Sequence, residues 1–232
     1  MSKHPQSRLL CVEQSQLVVI DVQERLLPTI RDHQSVTAAI RFLMDAAAIL
    51  QVPTVITEQY SKGLGATVAV LRNHTATVTT LEKLTFSAAE TLLTEPSVPG
   101  VSAEEGSHGS LSGFNMFRPD QEATSTLEHP RLLAQQIVLV GIETHICVQQ
   151  TALELFQKGF RIFVAADGVG SRHSDDHLWA LNRMASAGVI ITTAEAIAFE
   201  WCERAGTDTF KALSRLVRDR DAQRQRNTSI TY

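Results

Sequence analysis

Six short runs of β-branched and other apolar residues recur along this chain, separated by longer helical patterns. The runs are nearly continuous instead of alternating, which is typical of parallel strands covered on both faces. They are QLVVID (16–21), PTVIT (53–57), ATVTTLEK (76–83), QIVLVGI (136–142), RIFVAAD (161–167) and GVIITT (188–193). This alternation predicts a three-layer α/β/α fold around a six-stranded, mainly parallel, doubly wound sheet of order 3-2-1-4-5-6.

The domain organisation follows from length and composition. With 232 residues, 44% of them apolar, the chain is long enough to bury one sizeable core. We predict a single domain over 1–218 and a polar C-terminal tail over 219–232. Residues 93–126 are rich in Gly, Ser, Pro and Glu and interrupt the alternation of strand and helix patterns. We expect them to form either a flexible surface insertion or a lid. Helices are expected at about 34–50, 64–73, 127–134, 146–158, 174–187 and 194–204.

Charge and cysteine content narrow the function classes. A net charge of −4 with scattered basic residues gives no sign of a nucleic-acid partner. No apolar run approaches the roughly 20 residues of a membrane helix, and the first residues lack the apolar core of a signal peptide. Three widely spaced cysteines do not suggest a disulfide framework. We therefore expect a cytoplasmic protein with neither a membrane nor a nucleic-acid partner.

Polar residues at the ends of the predicted strands locate a candidate site. In an open parallel sheet, ligands bind beyond the carboxyl ends of the strands, where the strand order reverses. Asp21 follows the first strand, Lys83 ends the third, and Cys147 comes shortly after the fourth. Because strands 1 and 4 are neighbours in the predicted order, Asp21 and Cys147 should face each other across the crevice.

The role of Cys147 can be interpreted in two ways from its position. It falls in the first turn of a predicted helix, where unpaired N–H groups and the helix dipole stabilise a thiolate, and Thr144 is a plausible N-cap. A nucleophile with a depressed pKa is one interpretation. The other is a small buried side chain without reactivity, which is the interpretation we favour for Cys11 and Cys202.

Several segments together resemble the isochorismatase-like cysteine hydrolases, the superfamily that includes nicotinamidases and N-carbamoylsarcosine amidases. The similarity is greatest to the isochorismatase domain-containing branch, and it covers most of the chain outside the insertion and the two ends. The matching segments are LVVIDVQERLLPTI (17–30), PTVITEQYSKGLGATV (53–68), EKLTFSA (82–88), VLVGIETHICVQQTALELFQKGFRIFVAADGVGSR (138–172) and ALNRMASAGVIITTAEAIAFEW (180–201).

The resemblance implies a role for each strand-end residue. Asp21 would be the general base, Cys147 the nucleophile that forms a thioester-type intermediate, and Lys83 the group that stabilises the thiolate and orients Asp21. A non-proline cis peptide bond, expected at Ile142–Glu143, would turn the backbone N–H of Glu143 toward the substrate. Together with the N–H of Cys147 it would form an oxyanion hole.

One departure from the family concerns metal binding. Nicotinamidases carry an Asp-x-His metal motif after strand 2, where this chain reads TEQYSKG (57–63). Glu58 alone makes a poor site, so we expect neither a catalytic metal nor any other cofactor. Neighbouring side chains that could line the substrate pocket are Gln59, Tyr60, Phe86 and Ile142.

The sequence thus predicts a metal-independent hydrolase that cleaves a small amide or related C–N bond. Its partner would be a small-molecule substrate, and the family resemblance implies a homo-oligomer of two or more subunits. The alternative is a non-catalytic module of the same fold that serves oligomeric interactions. The sequence does not name the substrate.

Overall fold

A computed structural model describes residues 9–74, 78–94 and 134–229. Its six strands form one fully parallel sheet of order β3-β2-β1-β4-β5-β6. This confirms the predicted fold class and strand order. The strands are β1 Ser15–Ile20, β2 Thr54–Gln59, β3 Thr79–Lys83, β4 Gln136–Ile142, β5 Arg161–Gly170 and β6 Ile190–Thr192.

Helices cover both faces of the sheet. The α-helices are α1 His33–Leu50, α2 Ser61–Leu64, α3 Ala69–Arg72, α4 Ala89–Leu93, α5 Gln149–Gln157, α6 Ser174–Ala187, α7 Ala194–Cys202 and α8 Asp208–Ser229. Short 3-10 turns occupy Val12–Gln14 and Leu27–Thr29, and a π-helical segment spans Thr144–Val148.

Strand β1 shows how the two-sided core arises from sequence. All six of its residues are buried, and side chains alternate between the faces of a strand. Leu17 and Val19 pack into the core on the side of α1 and α7, whereas Val18 and Ile20 pack into the core on the side of α5 and α6. A near-continuous apolar run is therefore required here.

The C-terminal region is helical beyond the predicted domain boundary. Helix α8 runs without a break across residue 219 and packs against α1 and α7, so the polar residues from 219 belong to the end of a helix. Arg220 is buried within it. Residues 127–133 of the helix predicted at 127–134, and most of the predicted insertion, 95–126, lie outside the described residues.

Gly141 allows β1 and β4 to approach each other closely at the site. Its φ is +122°, and a Cβ at this position would lie 2.1 Å from the backbone oxygen of Ile20. Only glycine fits both the conformation and the space. The ends of β1 and β4, which carry the site residues, are thereby held side by side.

None of the helices described in the structure combines the length and the apolar character needed to cross a membrane.

Candidate active site

Asp21 lies directly beyond the end of β1, in a fully buried position. Its backbone has a φ of +53°, and its N–H donates to the carbonyl oxygen of Thr57 at 3.1 Å. The Thr57 hydroxyl donates to carboxylate oxygen Oδ1 at 2.8 Å. The neighbouring strand β2 therefore fixes both the backbone and the side chain of Asp21.

Lys83 ends β3 and reaches Asp21 across β2, which lies between β3 and β1 in the sheet. Its Nζ is 2.6 Å from Asp21 Oδ2, and both side chains have zero exposure. Nζ also donates to Gln59 Oε1 at 2.7 Å and to the carbonyl oxygens of Phe86 at 3.0 Å and Thr85 at 3.1 Å. A buried ammonium is stable here because it is paired and fully hydrogen-bonded.

Cys147 lies in the π-helical segment after β4 and is 5% exposed. It lies close enough to Asp21 and Lys83 for the charge of each to act on the pKa of its thiol. The three strand-end residues that the sequence singled out are thus brought together. The peptide bond between Ile142 and Glu143 is cis, at the position expected from the resemblance.

The pKa of the Cys147 thiol is shifted in the direction opposite to the one expected. Burial and, after it, the negative charge of Asp21 raise the pKa of Cys147 to about 12, although the positive charge of Lys83 acts in the lowering direction. The prediction of a depressed pKa is therefore wrong, because the sulfur is desolvated and lies against a carboxylate. At neutral pH the resting residue is a thiol whose proton faces a base.

The segment that carries Cys147 is braced by side chains from α6 and from the short loop that joins β5 to α6. Thr144 Oγ1 lies 3.0 Å from Nδ1 of His177, and burial lowers the pKa of this histidine. The predicted N-cap role of Thr144 is wrong, since the residue before the π-helical segment is Glu143 and no side chain caps it. The buried carboxylate of Glu143 accepts from the N–H and Nε of Arg172 at 3.1 and 3.2 Å.

The four predicted pocket residues have different surroundings. Tyr60 and Phe86 are half exposed, at 52% and 58%, and Tyr60 lines a cavity of about 650 Å³ beside Lys83. The side-chain oxygen of Gln59 accepts from Lys83, so this amide group already has a partner within the protein. Ile142 is fully buried among the residues on the α1 side of the sheet, and its side chain packs in the core instead of lining an open pocket.

Sequence reasoning missed two polar residues at this site. Thr57 was treated only as part of a strand end, and Gln23 was not considered. Gln23 Nε2 donates to the carbonyl oxygens of Gln59 at 3.1 Å and Gly65 at 2.7 Å, and its Oε1 accepts from the Gln59 N–H at 2.8 Å. The available signal was a glutamine two positions after the strand-end aspartate, in DVQ (21–23).

Glu58, at the place of the family's metal motif, is engaged elsewhere. Its Oε1 accepts from the N–H and the hydroxyl of Thr67, both at 2.7 Å. Within residues 9–74, 78–94 and 134–229, no group of three or more His, Cys, Asp or Glu side chains is arranged to hold a metal ion. Metal independence stays a prediction.

The fold and this site define a class: a doubly wound α/β protein with a cysteine, a carboxylate and an amine in contact at the carboxyl ends of the strands. Comparison with known proteins agrees with that class. The family model described as Isochorismatase domain matches residues 113–196.

Individual relatives give the same result. Isochorismatase domain-containing protein 1 of Danio rerio is 32% identical over 85% of this chain, and the match spans only 59% of that longer protein. Isochorismatase domain-containing protein 2 of Bos taurus is 30% identical over 88% of this chain and 83% of the relative. The structure of MAR1 ribonuclease from Caenorhabditis elegans is similar with a TM-score of 0.69 and 30% identity, covering 90% of this chain and 92% of that one. The chain belongs to the isochorismatase-like superfamily.

Proposed function

We propose that the protein is a metal-independent hydrolase that cleaves a small amide or related C–N bond through a covalent thioester on Cys147. The observation that carries the proposal is the fully buried ion pair of Asp21 and Lys83 beside the buried thiol of Cys147, at the carboxyl-terminal edge of the sheet. Asp21 is the general base, Lys83 the charge that holds it ionised, and Cys147 the nucleophile.

In the first half-reaction Asp21 removes the thiol proton as the sulfur attacks the carbonyl carbon. The carbonyl π electrons move to oxygen, and the backbone N–H groups of Glu143 and Cys147 stabilise the resulting oxyanion. The intermediate then collapses, the C–N bond breaks, and the proton held by Asp21 passes to the departing nitrogen. An amine and a thioester result.

In the second half-reaction water replaces the amine. Asp21 takes one proton from water as its oxygen attacks the thioester carbon, the C–S bond breaks, and that proton returns to the sulfur. The net change is amide plus water giving carboxylic acid plus amine, with the enzyme regenerated. The raised pKa of the thiol fits this scheme, since the nucleophile forms only when Asp21 accepts its proton.

Site-specific alkylation tests the nucleophile without knowledge of the substrate. The protein is treated with substoichiometric iodoacetamide at neutral pH, and the modified cysteine is identified by peptide mass spectrometry. We expect Cys147 to be modified before the more exposed Cys202, despite its burial, because Cys147 lies beside the paired carboxylate and ammonium of Asp21 and Lys83. Modification of Cys202 or Cys11 first, with Cys147 unmodified, would contradict the proposal.

A substrate panel tests the reaction itself. It contains primary amides, carbamoyl compounds, small esters and, because one similar structure is that of a ribonuclease, a short RNA. We expect hydrolysis of an amide or carbamoyl compound that is lost in Cys147→Ala and unaffected by a metal chelator. Cleavage of RNA alone would replace the proposal with a nuclease, and inactivity on every compound together with inert Cys147 would favour the non-catalytic module.

We also expect the protein to form a homo-oligomer, as the family resemblance implies. Two adjacent apolar side chains of α6, Leu178 and Trp179, are 53% and 70% exposed, which is surface that a subunit contact would cover. Light scattering coupled to gel filtration measures the mass directly, and a value equal to one chain at micromolar concentration would contradict this expectation.

A further inference from the structure

Strand β2 contributes two polar side chains to the interior of the site. Thr57 and Gln59 are two residues apart, so they project from the same face of the strand. Because β2 lies between β1 and β3, Thr57 reaches Asp21 on one side and Gln59 reaches Lys83 on the other. Neither residue contacts the Cys147 sulfur in the hydrogen bonds described for the site.

Thr57 favours the charged form of Asp21. It is fully buried and its hydroxyl donates to Oδ1 at 2.8 Å. A hydrogen bond donated to a carboxylate stabilises the ionised state over the protonated state. The other charged or titratable groups that face Asp21 among the described residues are Lys83 from β3 and Cys147 from the π-helical segment.

Gln59 favours the charged form of Lys83. Its Nε2 donates to the carbonyl oxygen of Leu84 at 2.6 Å, which turns Oε1 toward Lys83 at 2.7 Å. An amide oxygen can only accept, and it binds an ammonium more strongly than a neutral amine because the hydrogen bond is charge-assisted. The backbone of Gln59 is held in turn by Gln23, through the N–H and the carbonyl oxygen.

We propose that Thr57 and Gln59 are paired positioning residues that keep Asp21 ionised and Lys83 protonated in the resting site. The inference rests on the proposed function. It assigns the proton path: the thiol proton goes to Asp21 and from there to the leaving nitrogen. Lys83 keeps its three protons, because Gln59, Thr85 and Phe86 supply three acceptors for them.

The pH profile of Cys147 alkylation by iodoacetamide tests the Thr57 half of the pair. The rate should fall at acidic pH, where the site no longer takes up the thiol proton. In Thr57→Val, which removes the hydroxyl and keeps the branched shape, we expect this acidic fall to move to higher pH by roughly one pH unit. Thr57→Ser retains the donor and should match the wild type.

The rate at neutral pH tests the Gln59 half. In Gln59→Met the ammonium loses one charge-assisted hydrogen bond and its fixed position, and we expect alkylation to slow roughly tenfold. Glu58→Gln is the matched control, since Glu58 lies on the opposite face of β2 and contacts Thr67 instead of the site. Its rate should equal that of the wild type.

The outcomes separate this inference from the proposed function. If the wild type shows no alkylation of Cys147, the proposed function fails. If the wild type alkylates with an acidic fall that is the same in Thr57→Val and Thr57→Ser, and Gln59→Met reacts like Glu58→Gln, the positioning role is overturned and the proposed function stands. Thermal melts verify folding, and if Thr57→Val does not fold, the comparison of Gln59→Met with Glu58→Gln decides.

Discussion

At the scale of single residues, the most demanding feature is a fully buried ion pair. Asp21 and Lys83 have no exposed side-chain surface and lie 2.6 Å apart. Taking two charges out of water is costly, and the attraction between them repays that cost only while both are present. Each charge is therefore stabilised by the other, and removing one of them alone leaves an unpaired buried group.

A double-mutant cycle measures this dependence. We expect Asp21→Asn and Lys83→Met each to lower the free energy of unfolding by about 3–5 kcal/mol, since each leaves an unpaired buried group. The double variant should lose clearly less than the sum. Urea denaturation gives the three values.

The exposed pair of Lys211 and Asp208 is the control for this cycle, with side chains 70% and 97% exposed. Substituting Lys211 by Met should leave the free energy of unfolding unchanged within error. Additive losses for the buried pair would show that Asp21 and Lys83 are stabilised independently, by Thr57 and Gln59, instead of by each other.

At this scale the sequence identified three residues of the site but did not show what surrounds each of them. Asp21, Lys83 and Cys147 could be found because each follows a recognisable strand. The raised pKa of Cys147 could not, because it depends on how deeply the sulfur is buried and on its contact with Asp21. Thr57 was missed because a threonine inside a strand is the ordinary composition of a strand.

At the scale of secondary structure elements, the junction of β1 and β4 depends on one glycine. Gly141 pairs with Ile20, and any Cβ at this position would lie 2.1 Å from the Ile20 oxygen. We expect Gly141→Ala to lower the free energy of unfolding by more than about 3 kcal/mol and to abolish Cys147 alkylation, because strand β4 must move away from Asp21.

Gly159 provides a matched comparison for Gly141. Its φ is also positive, at +91°, but no atom lies within 4 Å of a Cβ built on it. Gly159→Ala should therefore lose only the conformational term of about 1 kcal/mol and keep full alkylation. Equal losses in the two variants would mean that backbone conformation, and not the close approach to Ile20, determines the effect.

Helix α8 was the element that the sequence predicted least well. Its charged residues suggested a polar tail, yet Arg220 is buried and its Nη2 donates to Asp167 Oδ2 at 2.8 Å. The guanidinium also lies over the ring of Phe42, 4.5 Å from its centroid. Asp167 additionally accepts from the N–H of Ala194 at 2.7 Å, so one carboxylate joins β5, α7 and α8.

Loss of Arg220 should detach this helix from the sheet. We expect Arg220→Met to lower the free energy of unfolding by about 2 kcal/mol, less than for a fully buried pair because Asp167 is partly exposed. Arg218→Met, an exposed position on the same helix, should change little. Urea denaturation compares the two, and equal values would show that the Asp167 contact contributes nothing.

At the scale of the whole molecule, the two-sided sheet was the most predictable property. Near-continuous apolar strands permit only a sheet buried on both faces, and the topology rules then restrict strand order to few choices. The π-helical segment and α8 were not predictable in this way, since tertiary contacts with His177 and Asp167 stabilise them. Local sequence patterns do not indicate contacts between residues that are far apart in the chain.

Burial of the thiol also makes the stability of the whole molecule depend on pH. The pKa of Cys147 rises from 9.0 to about 12 on folding. Between these values the unfolded chain has lost the proton that the folded protein retains. The free energy of unfolding should therefore be unaffected by this residue below about pH 9 and fall above it, by up to roughly 1.4 kcal/mol per pH unit.

Urea denaturation at neutral pH and near about pH 10 measures this fall, and Cys147→Ser should remove most of it because a serine hydroxyl does not titrate in this range. Cys11, whose pKa is also raised by burial and by its hydrogen bond to Glu13, acts in the same direction but lies away from Asp21 and Lys83. Cys11→Ser should therefore keep most of the dependence. A fall that disappears in Cys11→Ser and persists in Cys147→Ser would show that the sulfur beside Asp21 is already ionised in the folded protein, and with it that Asp21 has no proton to remove.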